Sequence, residues 1–112
     1  MDEPIDRSTL ARLKNDIGDD TFTELIGEYI ADAKNLVDAI NGAVSRRESE
    51  AVMRGAHTLK STSRVLGATE LAELCTALEL AGREDDLSGA DELAARATDV
   101  FGAVRRALQR LL

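Results

Sequence analysis

At 112 residues, 44% of them hydrophobic, the chain is long enough to bury one core and too short for two domains. A formal charge of -7 and a pI near 4.7 exclude the dominant basic surface of a nucleic-acid binder, so neither DNA nor RNA is expected as a partner. The single cysteine, Cys75, excludes an internal disulfide, and no apolar run approaches the roughly 20 residues that span a bilayer. Aromatics are scarce and there is one proline, a mix that favours packed helices over sheet. The first residues, "MDEPIDRSTL", are acidic and lack the basic-then-apolar pattern of a secretory signal. The expectation is one soluble cytoplasmic domain over residues 1–112, with no membrane contact.

Apolar residues recur at helical spacing in five places, with no internal repeat and no low-complexity linker between them. The first helix is short: Ser8 is expected to cap a segment carrying Leu10, Leu13 and Ile17, which Gly18 ends. The second runs from about Asp20 to Val44, with Phe22, Leu25, Ile26, Tyr29, Ala33, Leu36, Val37 and Ile40 on one face. The third starts near Ser45 to Glu48, whose spacing reads as a capping box, and reaches Leu66 before Gly67 stops it. The fourth covers about Thr69 to Ala81 with Leu71, Leu74, Cys75 and Leu78 inward, and Gly82 followed by "REDD" marks its end. The fifth follows Ser88, its stripe formed by Leu93, Ala97, Val100, Val104, Leu108 and Leu111, with Arg105, Arg106 and Arg110 near the C-terminal end of the dipole. Four long amphipathic helices with short loops predict an all-α, antiparallel four-helix bundle, with the short N-terminal helix capping one end. Cys75, Tyr29 and Phe101 are expected to be core residues, and "REDD" a loop or cap in place of a metal site.

The third helix carries the only histidine. With about 100° per residue and Val52 at zero, Ala56, Leu59, Ser63 and Leu66 lie within roughly 40° of the buried direction. Met53, Lys60 and Arg64 fall between about 80° and about 120°, His57 at about 140° and Ser61 at about 180°, so His57 looks outward beside cations. A metal site is disfavoured, because it needs several convergent ligands and these neighbours repel a cation. An exposed histidine alone on a helix is ordinarily a polar surface residue. With cations beside it, however, a neutral imidazole has what it needs to attack a phosphoryl group and to stabilise the product. Arg46, Arg47, Arg54, Lys60 and Arg64 against Glu48 and Glu50 give +3 between residues 46 and 64 in a chain of net charge -7.

The stretch from Arg54 to Glu79, "RGAHTLKSTSRVLGATELAELCTALE", resembles the signature of histidine-containing phosphotransfer (HPt) domains of bacterial multistep phosphorelays. That signature runs approximately as an alanine-flanked "HTLKGSS", then "LGA", then a helix with "L" and "C" before "LE". The resemblance implies a four-helix bundle with the phosphorylated histidine exposed on the second main helix. Carried over by position, it makes His57 the phospho-acceptor, Lys60 the phosphate-neutralising lysine, Leu59 a core anchor and Gly67 the helix stop. Ser61 departs from the pattern, standing where the family usually has glycine, and that bears on partner choice and rate. Ser61, Arg64, Arg54 and Met53 are the candidate docking and phosphate-neighbouring residues. The implied function is a phosphorelay carrier, accepting a phosphoryl group from a receiver-domain aspartate and passing it to another receiver. A hybrid histidine kinase and a response regulator are the implied partners. It implies no ATP-dependent kinase activity and no resident cofactor, any Mg²⁺ coming from the partner receiver's acidic site. The charged outer strips point to a monomer. A phosphorylation-independent helical adaptor is the alternative function.

Overall fold

A computed structural model of the chain describes residues 3–112. Among these there are five helices and no strand: α1 (Arg7–Ile17), α2 (Asp19–Ser45), α3 (Ser49–Val65), α4 (Thr69–Arg83) and α5 (Ala90–Gln109). Each of α2 to α5 touches the next, and α5 returns to α2, so the four long helices close a bundle while α1 lies on α2. This is the expected antiparallel bundle with a short N-terminal helix. One continuous core fills it, built from Phe22, Ile26, Leu59, Leu71, Leu78, Val104 and Leu108 among others, with Tyr29, Cys75 and Phe101 inside as the periodicity requires.

Three helix boundaries differ from the sequence expectation, each for a local reason. Asp6, and not Ser8, caps α1: its carboxylate accepts from the backbone N–H groups of Ser8 (3.0 Å) and Thr9 (3.4 Å). Ser45 and Glu48 form no capping box, because Ser45 is the last residue of α2 and Glu48 precedes α3 without a side-chain cap. Gly82 does not end α4 but lies within it, buried. A Cβ there would meet the carbonyl oxygen of Ser49 at 2.5 Å and the backbone nitrogen of Met53 at 2.8 Å, so glycine is what lets α4 approach the first turn of α3 so closely.

The helix ends explain why these boundaries are hard to read. Gly67 turns left-handed after α3 (φ 72°), with the paired bonds Gly67 N–H to Arg64 carbonyl and Ala68 N–H to Ser63 carbonyl of a Schellman closure. Arg47 (φ 57°) and Asp85 (φ 52°) close α2 and α4 in the same way, although neither is glycine. Each costs on the order of 1 kcal/mol of backbone strain. Their side chains tie the two turns together. Arg47 donates to the Leu87 carbonyl (3.1 Å) and to Asp91 (2.7 Å), and Ser49 donates to Asp85 (2.5 Å). At the opposite end the Asp6 N–H donates to the Gly67 carbonyl at 2.8 Å, fastening the start of α1 onto the α3–α4 turn.

Candidate functional site

The α3–α4 seam brings together four charged or titratable side chains that the sequence separates. His57 projects from α3 with 60% of its side chain exposed, and its Nδ1 stands 2.8 Å from Oε2 of Glu79 on α4. Lys60, one turn further along α3, donates to Oε1 of the same carboxylate, and Arg83, one turn along α4, donates to Oε2 at 3.1 Å. Glu79 itself is buried. It is the hub of the cluster.

A carboxylate on the packed side of a helix is tolerable only when its lone pairs are met by donors. The Lys60 bond is the largest cause holding the Glu79 carboxyl below its ordinary value of 4.5, the His57 bond adds to it, and burial opposes both. Glu79 is therefore ionised at neutral pH and can only accept hydrogen bonds. It follows that Nδ1 of a neutral His57 ring carries the hydrogen. The lone pair is then on Nε2, on the far side of the ring from Glu79, where the side chain is open to solvent.

The structure places the other expected residues along α3. Met53, half-buried, and Arg54 line a shallow cleft with His57, Thr58, Glu79 and Arg83. Arg54 is exposed and ion-paired with Glu50 one turn back. Arg64 is exposed and makes no ion pair among the described residues, and Ser61 is exposed beneath the ring. The Ser61 hydroxyl donates to the His57 carbonyl at 3.2 Å, so its proton is directed into the helix backbone. Lys60 is not a freely solvated cation: its side chain is only 15% exposed because its position on the helical wheel, nearer the buried stripe than His57, places it in the α3–α4 seam. Glu79 and Arg83 had no role in the sequence reading. The signal for Glu79 was present, a carboxylate four residues after Cys75 on the apolar stripe of α4, with Arg83 a further four along. Among the described residues no group of three or more His, Cys, Asp or Glu side chains converges as a metal site.

A family model described as the Hpt domain matches residues 24–112. The chain belongs to the Hpt domain family. It is a histidine phosphotransfer carrier of phosphorelay signalling, and domains of this family interact with the receiver domains of phosphorelay proteins. The fold is similar to the crystal structure of histidine-containing phosphotransfer protein B (HptB) from Pseudomonas aeruginosa PAO1, with a TM-score of 0.91 and 25% identity over 96% of this chain and 92% of that one. No curated protein sequence matches the chain. No helix among the described residues is long and apolar enough to cross a membrane.

Proposed function

We propose that His57 is the residue that carries the phosphoryl group, and that Nε2 is the atom that bears it. The observation that supports this is the Nδ1 contact with Glu79, which fixes the ring's tautomer and leaves Nε2 as a nucleophile facing solvent. In the accepting step the Nε2 lone pair attacks the phosphorus of a receiver's aspartyl phosphate. The N–P bond forms as the acyl-phosphate O–P bond breaks, and the aspartate leaves as a carboxylate. The positive charge that develops on the ring is offset through Nδ1–H by the Glu79 carboxylate, so no proton has to leave the site. Transfer to a second receiver is the same step reversed. Lys60 and Arg83, which share the Glu79 carboxylate with the ring, are the cations assigned to the phosphoryl oxygens.

The donor is the receiver domain of a hybrid histidine kinase and the acceptor that of a response regulator. The carrier holds no cofactor, and Mg²⁺ comes with the receiver's acidic site. Residues 1–112 act as a single domain and as a monomer. The protein works in the cytoplasm. Incubation with a radiolabelled receiver phosphate should leave an acid-labile, base-stable label on the protein that is missing in His57→Gln. Absence of label on the wild type, with binding to the receiver retained, would instead favour a phosphorylation-independent adaptor.

A further inference from the structure

Helix α3 turns three consecutive side chains, Lys60, Ser61 and Thr62, to different surroundings. Lys60 reaches across the seam to Glu79 of α4, and Thr62 borders the α2 side of the helix with Leu25 and Tyr29. Ser61 lies between them, exposed, and about 40° further from α4 than His57 on the helical wheel. Because Nδ1 of His57 faces Glu79, Nε2 lies on the side of the ring away from α4, and that is the side on which Ser61 stands. A helical side chain leans back over the turn that precedes it, and Ser61 does so: its Oγ comes to 3.2 Å from the His57 carbonyl oxygen.

That hydrogen bond is a weak hold. The His57 carbonyl already accepts the helical N–H of Ser61, and the hydroxyl adds a second donor at more than the usual O–H···O distance of about 2.5 to 3.0 Å. The charged neighbours are engaged elsewhere, Arg54 with Glu50, and Lys60 and Arg83 with Glu79. A phosphoryl group on Nε2 presents charged oxygens, and a hydroxyl that exchanges a neutral carbonyl for one of them gains a bond roughly twice as strong. We propose that Ser61 is a phosphoryl contact of the loaded carrier: rotation about its one side-chain bond carries the hydroxyl from the His57 carbonyl to a phosphoryl oxygen, and this contact lengthens the life of the phosphohistidine. Hydrolysis passes through a loose transition state in which those oxygens hold less negative charge than in the phosphohistidine, so a donor to them holds the ground state more firmly. The residue that departs from the glycine of the HPt signature thus helps to store the phosphoryl group between encounters. This role presupposes that His57 is the transfer site.

The test is the lifetime of the label. His57 is labelled with phosphoramidate, a small donor that needs no docking, in the wild type and in Ser61→Ala, Ser61→Gly and Ser61→Thr; the donor is removed and loss of the acid-labile label is followed. Ser61→Ala and Ser61→Gly should lose it roughly threefold faster, whereas Ser61→Thr, which keeps a hydroxyl, should match the wild type. The position is exposed, so these changes leave the core untouched. At equilibrium with a purified receiver, the ratio of labelled carrier to labelled receiver should fall by a similar factor in the alanine and glycine variants. Equal lifetimes in all four proteins overturn the contact. Lifetimes that rise steadily from glycine through alanine and serine to threonine overturn it as well, since bulk would then be shielding the phosphorus from water. An acid-stable label on Ser61 also overturns it, because the hydroxyl would be a second acceptor of the phosphoryl group and not a hydrogen-bond donor to it. Failure of phosphoramidate and of every receiver to label the wild type overturns the reading of His57, and the role of Ser61 with it.

Discussion

Helix α3 carries two polar side chains that are each held at 2.8 Å by a neighbouring helix, and they do opposite things. Ser63 points inward and shares a hydrogen bond with the Tyr29 hydroxyl of α2, in a place with no solvent access. His57 points outward and is held through Nδ1 by Glu79 of α4, with most of its ring exposed. In the first pair the contact satisfies both groups, and burial pushes the Tyr29 hydroxyl up to about 12, so it stays neutral at any ordinary pH. In the second, the contact occupies one ring nitrogen and leaves the other with its lone pair. What distinguishes a stabilising polar contact from a chemically competent one is whether an atom of the pair is left over, and on which side of the helix it lies.

The largest expected effect breaks the second pair alone. His57→Gln should abolish phosphoryl acceptance while costing no more than about 1 kcal/mol of unfolding stability, since the side chain is largely exposed and a glutamine amide can still donate to Glu79. Circular dichroism melting of the variant beside a radiolabel assay checks both halves. A large drop in melting temperature would make His57 a structural residue like Ser63.

Next in size is Glu79→Gln, which keeps the shape and an acceptor oxygen for Nδ1–H but removes the charge. A hydrogen bond to a charged group is worth about 1.5 kcal/mol, so transfer should slow roughly tenfold. The variant also carries a pH signature. A carboxyl held below its ordinary value of 4.5 binds its proton less readily in the folded chain than in the unfolded one. The stability that Glu79 supplies is therefore fully present above that value and is lost as pH falls through the lower folded value. In a His57→Gln background, where no imidazole faces the carboxylate, the difference in urea midpoint between the protein that keeps Glu79 and its Glu79→Gln variant should be constant from neutrality down to about pH 5 and close toward zero below that. A difference that widens on acidification would mean that the carboxyl is raised, and the tautomer argument would fail with it.

How far the sequence led toward these two pairs differs in an instructive way. A helical wheel places Ser63 inward and His57 outward because both statements concern direction on one helix, which 3.6-residue periodicity determines. The bundle, its inward faces and the exposed strip were legible for the same reason. Glu79 as the partner of His57 was not, since 22 residues and a turn separate them and only the seam between α3 and α4 brings them together. That seam depends on Gly82, which reads locally as a helix stop and acts as a close approach of two backbones. Helix ends misled in the same manner: Gly67 obeys the glycine rule, whereas Arg47 and Asp85 take left-handed turns that loop-to-loop contacts hold in place, and those contacts are long-range. Lys60 shows the limit of a wheel. Its angle was right, but a long side chain near the edge of the apolar stripe finds whatever carboxylate the next helix offers, and the wheel contains no next helix.

Breaking the first pair is a smaller intervention. Tyr29→Phe should cost about 1 kcal/mol of unfolding free energy, since it removes a neutral hydrogen bond and leaves the Ser63 hydroxyl without its partner in the core. Phosphotransfer at saturating receiver should equal wild type, because nothing on that side of α3 touches the ring. A slower chemical step in a fully folded Tyr29→Phe protein would show that the two faces of α3 are coupled.

The smallest expected effect sharpens the boundary of the working pair. Arg83 donates to the same Glu79 oxygen as His57, but its side chain is 62% exposed, against 15% for Lys60. A solvated ion pair of this kind is worth about 0.2 to 1 kcal/mol and weakens with salt, whereas the Lys60 contact is shielded from water and is the leading cause of the Glu79 shift. Arg83→Ala should therefore lower the transfer rate by no more than about fivefold at low salt and by less at high salt. Lys60→Ala should be the more damaging of the two, and its effect should persist when salt is raised. Measuring both variants across a salt series ranks the cations. If Arg83→Ala is the slower carrier at every salt concentration, the phosphoryl group lies toward α4's exposed edge, and Lys60 serves only to keep Glu79 charged.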